Sequence, residues 1–153
     1  MKTRYQRSLD DYARYHQNHK NKITHYLGIP MIVLAVVVLL RAPAPLEFGA
    51  VRLDWALLVM VPVSVFYLSL NLVSALGMIA FFALCYVLSP AVGTPAALAV
   101  FILGWVLQFV GHHFEGKKPA FFKNAVHLLI GPLWILNDLF CRLHLPAYEA
   151  KGS

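Results

Sequence analysis

Charge is what this sequence has least of. Only 13% of its 153 residues are Asp, Glu, Lys or Arg, about half the share of an average soluble domain, while 59% are hydrophobic and the mean hydropathy is +0.65. So short a chain exposes much of its surface, and this little charge does not cover a globule in water. A bilayer is the economical alternative, and the same composition excludes disorder. Acids are scarcer than bases, 7 against 13, for a net charge of +6 with histidine neutral. Cysteine is nearly missing: Cys85 and Cys141 each lie in an apolar run, so there is neither a disulfide framework nor a Cys-x-x-Cys metal or redox pair, and both read as small packing residues. No phosphate-cradling glycine loop, nucleophile elbow or internal repeat occurs. The pI near 9.5 does not argue for nucleic acid, because the basic residues flank apolar runs, where a membrane accounts for them.

What is there is a series of apolar segments. Residues 1–22 are polar and basic, with Lys2, Arg4, Arg7, Arg14, Lys20 and Lys22 opposed by Asp10 and Asp11. Leu9, Tyr12 and Tyr15 recur at helical spacing, which predicts a short interfacial helix. It should stop near Asn18–Asn21, with Asn21 able to cap the next helix. Residues 23–40 form the first span, kinked where Pro30 removes a hydrogen bond to the Tyr26 carbonyl. A signal peptide ending at Ala42-Pro43-Ala44 is the competing reading; the charged region before it is too long and carries acids. Residues 55–90 are too long for one span and just long enough for two, 55–70 and 72–89, with a turn at Ser69, Asn71 and Ser74. Residues 96–114 make a fourth span. Residues 125–143, interrupted by Gly131-Pro132, form a fifth that crosses or re-enters. The expected fold is one all-α, polytopic membrane bundle over residues 1–153.

Four crossings separate the chain before Ile23 from the chain after Phe114, so those two regions share one side. That side collects Lys2, Arg4, Arg7, Arg14, Lys20, Lys22, Lys117, Lys118 and Lys123, against Arg41, Arg52, Arg142 and Lys151 elsewhere. The positive-inside bias then makes it cytoplasmic, in an inner membrane or the endoplasmic reticulum according to the kind of cell.

Five of the seven histidines fall in two short clusters at or beside the borders of these regions: His16, His19 and His25, then His112 and His113. Histidine is the commonest transition-metal ligand, and a metal centre needs several converging from distant segments. On one continuous helix His16 and His25 would point about 180° apart. A turn at 18–21 lets the interfacial helix fold back, presenting both to one ion. Trp105, Gln108, His112 and Glu115 share a helix face, so Gln108 or Glu115 can orient His112. His113 is rotated by about 100° and joins only if the helix ends or unwinds, for which Gly111 and Gly116 offer the means. The bland reading of each histidine is a hydrogen-bonding or snorkelling residue at an interface, and for His19, His127 and His144 it is the preferred one. Iron, zinc and copper all suit an imidazole set, and iron with open positions permits dioxygen chemistry. Lys117, Lys118 and Lys123 read as a headgroup face that can also hold a carboxylate. Asn137-Asp138 should face the bundle or mark the far interface.

Tyr15-His16, Asn18, Asn21, His25, Gly28 and Pro30, followed by Trp105, Gln108, Phe109, Gly111-His112, Glu115 and Pro119-Ala120, resemble the small membrane family typified by the fungal 2-hydroxy fatty acid dioxygenase. The resemblance runs from about Tyr15 to Leu136. It implies an Fe(II)-dependent dioxygenase of fatty-acid alpha-oxidation, cleaving the C1–C2 bond of a 2-hydroxy fatty acid to leave a chain one carbon shorter, with zinc as a possible substitute ion. It implies His16, His25 and His112 as ligands and catalytic residues, with His113 as a fourth candidate. Asn21, Gln108 and Glu115 would support them, and Lys117 and Lys118 would take the anionic end of the substrate. Expected partners are the 2-hydroxy acid, dioxygen and membrane lipid, with an oligomer possible. Competing readings are a haem- or metal-carrying membrane subunit without catalysis, a di-iron lipid hydroxylase, for which seven histidines are too few, and a transporter, whose polar residues would gather at mid-membrane.

Overall fold

In the computed structural model, which describes residues 1–49, 51–122 and 124–150, the chain is an all-α bundle. Helix α1 (Arg4–Ala13) starts in a capping box: the Gln6 amide donates to the Thr3 hydroxyl and the Thr3 amide donates to Gln6 Oε1. Helix α2 (His19–Arg41) is capped by Asn18, whose Oδ1 accepts from the Lys20 amide at 2.9 Å. The cap is therefore Asn18 and not Asn21, which lies in the first turn of α2 with its side chain buried. Helices α3 (Trp55–Leu68) and α4 (Leu72–Leu88) begin at Asp54 and Asn71, each side chain accepting from the amide three residues on. Helix α5 (Thr94–Glu115) carries Pro95 in its first turn and ends at Gly116, whose φ of 67° is a left-handed cap that other residues adopt at a cost. Helix α6 is His127–Arg142. A hairpin of β1 (Leu46–Phe48) and β2 (Val51–Leu53), absent from the sequence reading, joins α2 to α3, with Glu47 opposite Arg52 and 2.7 Å from it.

Three stretches are long and apolar enough to cross a membrane: α2, α4 with the short turn after it to Ala91, and α5. At 1.5 Å per residue α2 and α5 reach about 35 and 33 Å, more than the ~30 Å hydrocarbon layer, whereas α3 with 14 residues reaches only about 21 Å. Large apolar side chains face outward from all of them; Val61, Val87 and Ile102 are each more than half exposed. That is the surface of a helix bundle solvated by lipid, where backbone groups are satisfied within each helix.

Helices α2 to α5 alternate in direction. At one end Arg41, closing α2, donates to the Asp54 carboxylate that caps α3 (3.2 Å) and to the Tyr86 carbonyl near the end of α4 (3.1 Å), and it also bonds Ser89. The other end gathers the start of α2, the turn between α3 and α4, and the end of α5. Glycines set the closest approach, between α2 and α5. A Cβ on Gly28 would overlap Gln108 and lie 2.8 Å from the Gly104 carbonyl oxygen; one on Gly111 would overlap Thr24 and lie 2.5 Å from Asn21 Oδ1. Gly111 thus makes room on α5 for the Asn21, Thr24 and His25 side chains of α2 and does not unwind the helix.

Helix α6 does not run to the far end. It lies antiparallel to α1, pairing Asn137 with Tyr5 (2.7 Å), Trp134 with Tyr12, and His127 with Asp11 (3.0 Å). Its other partners all sit near the same end: Tyr26 of α2, Tyr67 of α3 and Gly77 of α4. Asn137 points inward and is buried. This corrects the placing of Arg142 and His144 beyond a fifth crossing. Arg142 pairs with Asp138 at 2.6 Å beside Tyr26, and His144 follows in an exposed turn at φ 55°. Lys123 and Lys151, counted in the charge asymmetry, lie outside the described residues. Moving Arg142 to the histidine end leaves Arg41 and Arg52, among the described residues, as the basic residues of the opposite one. The tail returns over this layer, where the Tyr148 amide and carbonyl bond the Asn137 side chain and its hydroxyl donates to Asp10, which Lys2 also pairs.

Gly28→Val should push α2 off α5 at a backbone contact that cannot yield, lowering stability by about 1–3 kcal/mol. Gly93→Ala, whose Cβ would meet nothing nearer than 3.9 Å, is the control. Thermal unfolding of the two variants in detergent would show a clear gap, and equal midpoints would contradict the packing.

Candidate metal centre

His16 sits in the short link between α1 and α2, held by its amide donating to the Ala13 carbonyl at 3.0 Å. His25 is in the second turn of α2, and His112 in the last full turn of α5. All three are buried, His16 and His25 to 1% exposure, and one ring nitrogen of each lies within 4.8 Å of the other two. The His16 ring stacks flat on Tyr12, with centroids 4.0 Å apart, and meets the rings of His25 and His112 edge-on at 4.4 and 5.0 Å.

The hydrogen bonds fix the tautomers. His16 Nδ1 donates to the Tyr12 carbonyl at 2.8 Å and His25 Nδ1 donates to the Asn21 carbonyl at 2.9 Å. A carbonyl can only accept, so each neutral ring keeps its hydrogen on Nδ1 and its lone pair on Nε2. Those two Nε2 atoms are 3.0 Å apart. Neither can donate to the other, and facing lone pairs in a dry site repel. His112 Nδ1 is buried without a hydrogen-bond partner. A cation among the three rings removes the repulsion, and two nitrogens ~2.1 Å from one ion at a right angle would be about 3 Å apart. Imidazoles whose second nitrogen is pinned to a backbone carbonyl are the usual donors to a transition metal. The residues present fit a metal ion.

Burial, the largest effect, holds the His16 imidazole far below its ordinary 6.5, at about 3; His112, His127 and Lys22 push the same way and the Tyr12 carbonyl opposes them. The ring is therefore neutral and ready to coordinate at any physiological pH.

Glu115 does not bond His112. Its Oε1 accepts from the Gln17 amide (2.9 Å), and its Oε2 accepts from the Asn18 amide (2.8 Å) and the Asn21 side chain (3.0 Å). The first N–H groups of a helix and of the link before it lack intrahelical acceptors, and a carboxylate one turn beyond His112 supplies them. Glu115 thereby clips the His16 link to the end of α5. Asn21 works from the other side, its amide donating to the Tyr15 carbonyl at 3.2 Å. Gln108, a turn deeper than His112, lines the cleft and reaches the Thr24 carbonyl at 3.5 Å. His113 stays outside the group: α5 is unbroken through Glu115, so the ring keeps its rotation and is exposed beside Phe114. His19 is exposed at the first position of α2. Lys117 donates to the Arg14 carbonyl at 2.9 Å and lies 4.0 Å from Glu115, and Lys118 is exposed nearby.

Below the histidines opens a cleft lined by apolar side chains such as Ile29, Ile32, Trp105, Phe121 and Pro132. Tyr12 and His127 also line it, and the sequence reading assigned neither to the site. Tyr12 precedes His16 by four residues, one helical turn, which was a readable signal. His127 donates to the Ala120 carbonyl at 3.0 Å and pairs with Asp11, contacts that no spacing in the chain announces.

A buried three-imidazole group above an apolar cleft, at one end of a bundle of apolar helices, offers the donor set that a metal ion requires. The chain belongs to the 2-hydroxy-palmitic acid dioxygenase Mpo1-like family, whose family model matches residues 2–143. It is similar to 2-hydroxy-palmitic acid dioxygenase MPO1 of Saccharomyces cerevisiae, with 29% identity over 141 residues that span 88% of this chain and 79% of that protein. No solved structure matches it.

The buried neutral His16 makes stability depend on pH. The folded ring stays neutral down to about 3, while the unfolded one takes a proton below about 6.5. Its contribution is therefore intact above 6.5 and declines as the pH falls, by about 2 kcal/mol at pH 5. Unfolding of the metal-free protein compared with His16→Asn between pH 7.5 and 5 should show this difference; parallel profiles would refute a buried neutral ring.

Proposed function

We propose that this protein is an Fe(II)-dependent dioxygenase that cleaves the C1–C2 bond of 2-hydroxy fatty acids and releases the acid one carbon shorter. The observation that carries the reading is the facing pair of Nε2 lone pairs at 3.0 Å, with the third imidazole beside them and an apolar cleft below. The substrate class follows from the family and from the name of the yeast relative.

His16, His25 and His112 would hold the ion, and the Tyr12 and Asn21 carbonyls keep the first two in the coordinating tautomer. When bound, ferrous iron supplies Lewis-acid activation of the 2-hydroxy carboxylate and an electron route to dioxygen. Three imidazole ligands would leave an ion coordination capacity for further groups, and the cleft lies beside them. Glu115 and Asn21 keep the His16 link closed over the site, and the apolar walls hold the acyl chain and exclude water. Lys117 and Lys118 at the rim attract the anionic end of the substrate. The reaction balances as 2-hydroxy acid plus dioxygen giving the shortened acid, carbon dioxide and water. The four electrons dioxygen accepts all come from C1 and C2, so no outside reductant is consumed. The basic histidine end faces the cytoplasm by the positive-inside bias.

A haem between His16 and His25 fits poorly. Axial nitrogens on opposite faces of an iron stand about 4 Å apart, twice a ~2 Å bond, against 3.0 Å here.

Anaerobic incubation of purified protein with ferrous ion and 2-hydroxypalmitic acid, followed by oxygen, should yield pentadecanoic acid by mass analysis. Zinc-loaded protein should yield none. His112→Ala should lose iron binding and turnover together; retention of both would end the assignment.

A further inference from the structure

Two polar side chains in the cleft have bonding capacity that the bundle leaves unused. Tyr12 and Gln108 line it among apolar neighbours and are only 5% and 6% exposed. The Tyr12 carbonyl orients His16, but the Tyr12 hydroxyl has no hydrogen-bond partner among the described residues. One end of the Gln108 amide reaches the Thr24 carbonyl, which can only accept, so that end is the nitrogen. The other end, Oε1, is left without a partner among the described residues. His127, on the same wall, has both ring nitrogens engaged, by the Ala120 carbonyl and by Asp11. Burying an unpaired donor and an unpaired acceptor is costly unless a ligand completes them.

The two groups border one turn of α2. A Cβ on Gly28 would overlap the Gln108 amide nitrogen, and a Cβ on Gly131 would have the Tyr12 hydroxyl at 2.9 Å and Ile29 Cδ1 at 3.0 Å. Gly28 and Ile29 are neighbours, one helical turn beyond His25, just as Gln108 lies one turn before His112. The Tyr12 ring stacks on His16. A donor and an acceptor thus stand in the layer next to the three imidazoles. An ionised 2-hydroxy acid carries several acceptor oxygens and a single donor, its hydroxyl, whereas an unsubstituted acid carries no donor at all. A phenol supplies a hydrogen and an amide oxygen takes one, so the pairing is fixed by the chemistry of each group.

We infer that Tyr12 and Gln108 read the head of the acid: the Tyr12 hydroxyl donates to the carboxylate, and Gln108 Oε1 accepts from the 2-hydroxyl and so separates 2-hydroxy acids from unsubstituted ones. The inference rests on the proposed function for the substrate class. Lys117 and Lys118 attract either acid, because charge alone does not register the hydroxyl; a buried acceptor does.

The test titrates the full chain in nanodiscs, loaded with zinc so that nothing turns over, with 2-hydroxypalmitic and with palmitic acid. Each ligand is compared between variants, so its partition into lipid cancels. Gln108→Met should weaken binding of 2-hydroxypalmitic acid about tenfold and leave palmitic acid within about twofold of wild type. Tyr12→Phe keeps the ring on His16 and the backbone carbonyl; it should weaken both acids about tenfold while zinc content stays at the wild-type level. Equal losses for the two acids in Gln108→Met, or unchanged affinities in Tyr12→Phe, would overturn the inference, as would a wild type that binds both acids equally. Gln108→Ala, which introduces no bulk, should give the same split and decides the matter if the Met variant does not fold. Failure of the proposed function shows separately, as a lack of turnover by the iron-loaded wild type, whereas a wild type that turns over and whose preference survives both Gln108 variants overturns this inference alone.

Discussion

The hydrogen bonds from His16 and His25 to the Tyr12 and Asn21 carbonyls leave two imidazole lone pairs facing each other in a water-poor pocket, an arrangement that is unfavourable until a positive charge lies between them. Much of the surrounding structure maintains that arrangement. Tyr12 supplies both a carbonyl and the ring on which His16 stacks, so the last turn of α1 has to be docked. Asn21 supplies the other carbonyl, and its side chain is held by Glu115 and Tyr15. Gly111 lets the backbone carrying Glu115 come close enough to do so. A single carboxylate on α5 thus holds the link that carries one histidine and the residue whose carbonyl orients another.

Burying a carboxylate among backbone amides would be costly if any of its partners were missing. Here both oxygens of Glu115 are engaged, with Lys117 near enough to add a favourable charge. The opposite end of the bundle solves the same problem with Arg41 and Asp54, which bind each other and the ends of three helices. Between these two polar closures the helices are apolar on nearly every face. The two ends are therefore not equivalent: one is closed by a self-contained ion pair, and the other keeps unpaired imidazole nitrogens above an open cleft.

The helices were legible in the sequence because a lipid-facing helix is apolar throughout, and its ends are marked by Asn, Asp, Pro and Gly. The meeting of His16, His25 and His112 followed from counting crossings, since an even number returns the chain to the end where it began. The course of α6 was not legible. An apolar helix reads the same whether it crosses a bundle or lies across its mouth, and only the partners of Asn137, His127 and Trp134 distinguish the two. Glu115 shares a helix face with His112, which predicted a bond between them. A long side chain at a helix end goes instead to the strongest free donors in reach, and those belong to Gln17 and Asn18, 98 and 97 residues away. Helical phase turns the His113 ring away from the other three histidines, because α5 stays unbroken through Gly111.

The lashing of α1 by α6 and by Tyr148 also dictates when the centre can exist. His16 precedes by more than a hundred residues the surface that orients its helix, which is built by Asn137, His127 and Tyr148. The three imidazoles therefore reach their final arrangement only once the chain through Tyr148 has been made and docked on α1.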